Sequence, residues 1–144
     1  MINEDWDSLT LQQIVQRAVA CAERVVDLYS GSESEGDDIR DAIDVARRFV
    51  DGDSSVSSTE ARSASTKARV ATLKSIKAIE SYYAGIAAYR TAQSAEAAIT
   101  ATAITSAALE FTHDGATYNP ARLFRQDAVN RAQEACESAS QAEI

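Results

Sequence analysis

Five carboxylates and three guanidinium groups crowd into one short stretch, residues 36–52. Asp37, Asp41 and Asp44 recur at steps of four and three residues, which on a helix places them on one side. Asp38 stands beside them, and Arg40 and Arg47 are interleaved. A row of carboxylates accepts charge-assisted hydrogen bonds from ammonium and guanidinium groups. Such a face suits a basic partner surface, for instance the phosphate-binding groove of a nuclease. Glu23, Asp27, Glu33 and Glu35 extend the acidic run on its N-terminal side. The same pattern also describes a plain solvated helix face, and both readings stay open at this point.

A second constellation is basic and aromatic. Tyr82, Tyr83, Tyr89 and Arg90 follow Arg62, Arg69 and Lys74, with His113 and Tyr118 further on. Rings plus cations can stack a base, hold a small anion or anchor an interface. Ordinary core and rim packing uses the same residue types.

Other chemistry is missing from the sequence. A single histidine, His113, excludes histidine-based metal sites and the Glu-x-x-His di-iron pattern of helical bundles. No glycine-rich phosphate loop is present, since the glycines stand singly. Cys21 and Cys136 sit in neither a metal nor a redox spacing; beside alanines in helical patterns, they are expected to be buried free thiols. Surface carboxylates alone do not make an acid–base pair. The expectation is a non-enzyme without cofactor or metal.

These residues must be carried by helices. The 144-residue chain is rich in alanine and holds only 5 glycines and 1 proline, so both helix breakers are scarce. The expected architecture is all-α: a single compact bundle of about five to seven helices over residues 1–144, with 1–9 and 140–144 peripheral. Charge is unevenly spread along it. Residues 1–60 hold 14 acids and 5 bases, whereas residues 61–144 hold 8 acids and 9 bases. An acidic half repels nucleic acid and anionic membranes and steers basic partners. The opening MINEDWD is not a basic, apolar leader, and no apolar run is long enough to span a bilayer; a cytoplasmic location is expected.

Apolar periodicity predicts helix 1 over about 10–29, entered through a Thr10–Gln13 capping box. A solvated loop over 31–36 then leads to helix 2 from about 38 to 50. Asp37 or Asp38 would cap that helix and Gly52 would close it. Ser57 and Glu60 offer another capping box. Residues 58–109 contain no proline, yet one helix of that length would run roughly 75 Å; breaks are expected at Ser81, Gly85 or 91–94. The small residues Ala61, Ala64, Ala68, Ala71, Ser75 and Ala78 mark a close helix contact. Residues 95–109, nearly free of charge, are expected to be central. Residues 111–119 read as a loop around Asp114-Gly115, and Asn119-Pro120 starts the last helix.

Two segments carry a family resemblance: Cys21-Ala22-Glu23-Arg24-Val25, and Arg40-Asp41-Ala42-Ile43-Asp44 followed by Arg47, Phe49 and Gly52. Together they resemble the small, alanine-rich, all-helical immunity proteins of bacterial toxin systems, mainly over residues 11–60. The chain departs from that pattern at Asp38-Ile39, where the family has Arg-Pro, and at Phe49, where it has tryptophan. The resemblance implies toxin neutralisation by direct binding to a protein partner, with Asp37, Asp38, Arg40, Asp41, Asp44 and Arg47 as candidate contacts. The alternative is an oligomeric helical sponge or anti-defence regulator of the kind a phage encodes. It would hold a small anionic or nucleotide-like ligand with Arg62, Arg69, Lys74, Tyr82, Tyr83, Tyr89 and Arg90.

Overall fold

The computed structural model describes residues 6–74, 78–107, 111–113 and 116–144. Its elements are α1 (Leu11–Val25), α2 (Glu33–Val50), α3 (Ser58–Lys74), α4 (Ile79–Ala107), β1 (Phe111–His113), β2 (Ala116–Tyr118) and α5 (Pro120–Ala142), with 3-10 turns at Trp6–Ser8 and Val26–Leu28. The class is all-α, and the five α-helices among the described residues stand at the low end of the expected range. β1 and β2 pair antiparallel, Phe111 opposite Tyr118. Residues 111–113 and 116–118 thus pair as a short ribbon where a plain loop was expected; the Asp114-Gly115 turn lies outside the described residues.

α1 begins as expected. Gln13 N–H donates to Thr10 Oγ1 at 3.1 Å, and Thr10 N–H donates to Gln13 Oε1 at 2.8 Å. Ile14, Val15, Ala18, Val19, Ala22 and Val25 are its buried face. It ends earlier than periodicity suggested, tightening into the turn at Val26–Leu28. Tyr29 then leaves in extended conformation, and its hydroxyl donates to the Ala71 carbonyl of α3 at 2.9 Å.

α2 corrects the reading of residues 31–36 as loop. Ser32, not Asp37 or Asp38, is the N-cap; its Oγ accepts from Glu35 N–H while Glu35 Oε1 accepts from Ser32 N–H at 2.9 Å. A serine–glutamate box outweighs the helix penalty of Gly36, which is buried one residue on. The C-terminal stop is where expected, with Gly52 at φ +84°.

The interruption of 58–109 lies between Lys74 and Ile79, ahead of all three expected breaks. Ser81, Gly85 and residues 91–94 are helical. Gly85 marks a close approach instead: a Cβ there would meet Thr72 of α3, with Cγ2 only 2.9 Å away. The small-residue stripe of α3 serves this contact through buried Ala61, Ala68 and Ala71, with Ala64 half-buried; Ser75 lies outside the described residues.

α4 packs against all four other helices and is the hub of the bundle. Ala84, Ala87, Ala88, Ala92, Ala95 and Ala98 are buried along it, as are Ala128, Ala132, Ala135 and Ala139 along α5. Alanine lets helix axes approach closely, and the few hydroxyls in the seam are satisfied by backbone. Ser94 Oγ donates to the Ala128 carbonyl at 2.8 Å and Thr91 Oγ1 to the Ala87 carbonyl at 2.7 Å. The Asn119 side chain caps α5 with Pro120 in its first turn, as expected. Among the described residues, no helix is long and apolar enough to cross a membrane.

The cysteines correct a second expectation. Cys21 of α1 and Cys136 of α5, 115 residues apart in sequence, are joined in a disulfide with Cα atoms 5.1 Å apart. Local spacing could not show this, because the packing of two distant helices sets it. The Arg24–Glu143 pair at 2.8 Å lies on the same seam.

Candidate functional site: the acidic ridge of α2

α2 presents its carboxylates along a ridge between two seams. On the α1 side, Glu23, Val26, Arg40, Ile43, Asp44 and Arg47 line a groove of about 270 Å³. On the α3 side, a cleft of about 480 Å³ is walled by Asp41, Asp44, Arg48, Glu60 and Lys67, with the small polar side chains of Ser57, Thr59 and Ser63. Asp44 borders both. The helical repeat that buries Ile39, Ala42, Ile43, Ala46 and Phe49 necessarily turns Asp37, Asp41 and Asp44 outward.

The arginines of this region are used internally. Arg47 bridges Glu23 of α1 and Asp44 of its own helix, the latter at 2.7 Å. Arg40 reaches toward Asp27 at 3.9 Å. Arg48 donates from Nε to Asp53 Oδ2 at 2.9 Å and from Nη1 to Glu60 Oε2 at 2.5 Å, tying α2 to the loop and to α3. Asp37, Asp38 and Asp41 engage no ion pair among the described residues; Asp37 and Asp41 are exposed and Asp38 is half-buried. Burial at the seam, with the neighbouring Asp41 charge, holds Asp44 above the ordinary carboxylate range in spite of Arg47. The cation is shared with Glu23, so it offsets only part of the negative charge. The ridge carries uncompensated carboxylate density and can accept donors from a cationic surface.

The six expected residues therefore lie on one helix and divide into two sets: Asp37, Asp38 and Asp41 engage no ion pair among the described residues, whereas Arg47 ties α2 to Glu23 of α1, Asp44 pairs with Arg47, and Arg40 reaches toward Asp27 in the turn after α1. Arg48, Glu60 and Lys67 complete the second seam and were not among the expected contacts. The Ser57–Glu60 box was the available signal, since Glu60 N–H donates to Ser57 Oγ at 3.1 Å and so fixes where α3 begins beside α2.

The basic and aromatic set is dispersed. Arg62 pairs with Glu96 at 2.8 Å. Arg90 donates to Gln93 at 2.9 Å, lies 3.6 Å from Glu134, and stacks over Tyr89 at 5.1 Å. Tyr82 and Tyr83 contact one another edge-on at 5.3 Å. Arg69 and Lys74 are exposed on the outer face of α3. Arg62 lines a cleft with Gln93, Glu96 and Arg131 whose lining includes none of the other six. Among the described residues no cluster of histidine, cysteine, aspartate and glutamate could hold a metal ion.

A small all-α bundle bearing a charged helical ridge is the class of molecule that this geometry defines. The chain belongs to the family described as Imm-5 like putative immunity protein, whose model matches residues 6–135. The match runs well past residues 11–60, where the quoted motifs lie, and through most of α5. No curated protein and no solved structure matches the chain. Family membership gives the chain an immunity-like role, which in general means engagement of a protein partner.

Proposed function

We propose that this protein neutralises a toxin or effector without catalysis, by laying the acidic ridge of α2 and its two flanking seams against a basic surface of that partner. The observation that carries the reading is the uncompensated charge: Asp37 and Asp41 are exposed and make no ion pair among the described residues, and Asp44 is held above its ordinary range by burial and by Asp41. A protein that needed these side chains only for solubility could space them apart. Crowding them costs stability, which a cationic partner would recover by pairing.

The partner is sought first among toxins encoded beside the gene, by co-expression and co-purification. With it in hand, Asp37→Lys/Asp41→Lys is titrated by calorimetry. Both residues lie outside the internal ion pairs, so the variant is expected to fold with an unchanged or slightly higher melting temperature. Its affinity is expected to fall at least tenfold, the equivalent of about 1.4 kcal/mol. Because a cationic partner favours ionised Asp44, wild-type binding is also expected to weaken as pH falls through that group's raised titration range. Unchanged affinity of the double variant would remove the ridge from the interface.

A further inference from the structure

The Cys21–Cys136 pair has no part in the acidic ridge, yet it occupies a distinctive environment. Both residues are half-buried rather than sealed in the core. The two sulfurs are not equivalent. Cys21 Sγ lies 3.8 Å from Arg24 Nη1, whereas Cys136 Sγ lies 3.6 Å from the Arg17 carbonyl oxygen. A guanidinium stabilises a thiolate and a carbonyl oxygen disfavours one. When an outside thiolate attacks a disulfide, the sulfur better able to carry negative charge is the one that leaves.

We propose that Cys21 and Cys136 form a thiol–disulfide exchange site for low-molecular-weight thiols and their disulfides, with Cys136 the attacked sulfur and Cys21 the leaving thiolate beside Arg24. In the reductive direction an external thiolate bonds to Cys136 Sγ, the Cys21–Cys136 bond breaks, and its electron pair stays on Cys21 Sγ. A second external thiolate then attacks the external sulfur of this mixed disulfide. That step releases the reagent as its own disulfide and leaves Cys136 as a thiolate. Two electrons pass from the reagent to the protein, and the two thiolates take their protons from solvent. Oxidation by a small disulfide such as oxidised glutathione runs the same steps backwards. Closing a loop of 115 residues removes much of the freedom of the unfolded chain. The redox poise of the surroundings therefore sets how long the bundle survives.

The test uses the intact wild-type chain in two forms, oxidised with glutathione disulfide and reduced with excess dithiothreitol. Intact mass should differ by two hydrogens, and the melting temperature should drop on reduction by on the order of 10 °C, with helical circular dichroism retained. Limiting glutathione should give a mixed disulfide that peptide mapping places on Cys136. Arg24→Gln should slow exchange several-fold, while Glu143→Gln, which breaks the same ion pair from its other end, should not. The proposal is overturned if the thiols stay free in glutathione disulfide, or if the two forms melt together. A mixed disulfide on Cys21, or equal slowing by both variants, would overturn the assigned direction of attack.

Discussion

Arg47 and Arg48 are neighbours in the chain but face opposite seams of α2. Arg47 reaches back to Glu23 of α1, and Arg48 reaches forward to Asp53, Ser55 and Glu60. Two adjacent arginines thereby fasten one helix on both sides, as the turn of about 100° per residue allows. Asp53 is the most perturbed group of the second fastening. Hydrogen bonds from Ser55 and from Arg48 bring its carboxyl down to about 2. Those bonds favour the ionised form, so the folded value lies below the unfolded one near 4. The stability linked to Asp53 is then fully present above about pH 4 and lost as pH falls through about 2. The melting temperature of wild type minus that of Asp53→Asn should therefore be positive at pH 7 and shrink toward zero between about pH 4 and 2. Thermal scans by circular dichroism measure it. A difference that stays constant through that window would detach Asp53 from the acid response.

At the scale of the element, the hairpin of α3 and α4 shows how a helix can keep a glycine in its interior. Gly85 is a poor helix residue, and replacing it with alanine in a free helix would gain about 1 kcal/mol. Here the added Cβ would strike Thr72, whose Oγ1 is already engaged with the Ala68 carbonyl at 2.8 Å. Overpacking of this kind costs about 1–3 kcal/mol, so Gly85→Ala should lower stability in urea unfolding, and Thr72→Ala should recover part of that loss in the double variant. Strictly additive effects would mean that the two residues do not share the contact. This pair also marks what could be read from the chain alone. The stripes of α1 and α2, the Thr10 and Asn119 caps and the Gly52 stop are local patterns, and each stands where its residues place it. The start of α2 was misplaced because Gly36 looks like a terminator unless the Ser32–Glu35 box is weighed against it. Gly85 misled for a different reason. Its neighbour Thr72 lies thirteen residues away, and only the packed hairpin shows that the glycine makes room for a partner helix. The ridge was legible as a shared helix face, but its division into ion-paired and free carboxylates depends on α1, which no spacing within α2 reveals. The disulfide was the least legible of all, since it joins the two ends of the chain.

Across the whole molecule, charge and core are distributed by different rules. The core is rich in alanine, with its larger side chains Ile14, Val15, Val19, Val25, Ile39, Ile43 and Phe49 on α1 and α2, while the acids concentrate in the first 60 residues with 14 against 5 bases. The excess sits on α2, with six acids against three arginines, and in the segments around the helices, since α1 itself holds Glu23 against Arg17 and Arg24. The internal ion pairs there act over a few ångströms and offset one another at a distance, but the excess does not cancel. A net charge of −8, with the acidic excess in the first 60 residues, produces a field reaching about one Debye length, roughly 8 Å at physiological salt. Such a field acts before contact, on the encounter rate, and much less on the contacts that hold a formed complex. For a basic toxin partner, raising salt from about 20 mM to 0.5 M should thus slow association by at least tenfold and change dissociation by less than threefold, measured by stopped-flow or surface plasmon resonance. Asp37→Asn/Asp41→Asn should flatten the salt dependence of association without changing the helical content. Were association insensitive to salt while dissociation accelerated, the attraction would reside in short-range contacts, and the acidic ridge would have to be read as a solvated surface instead.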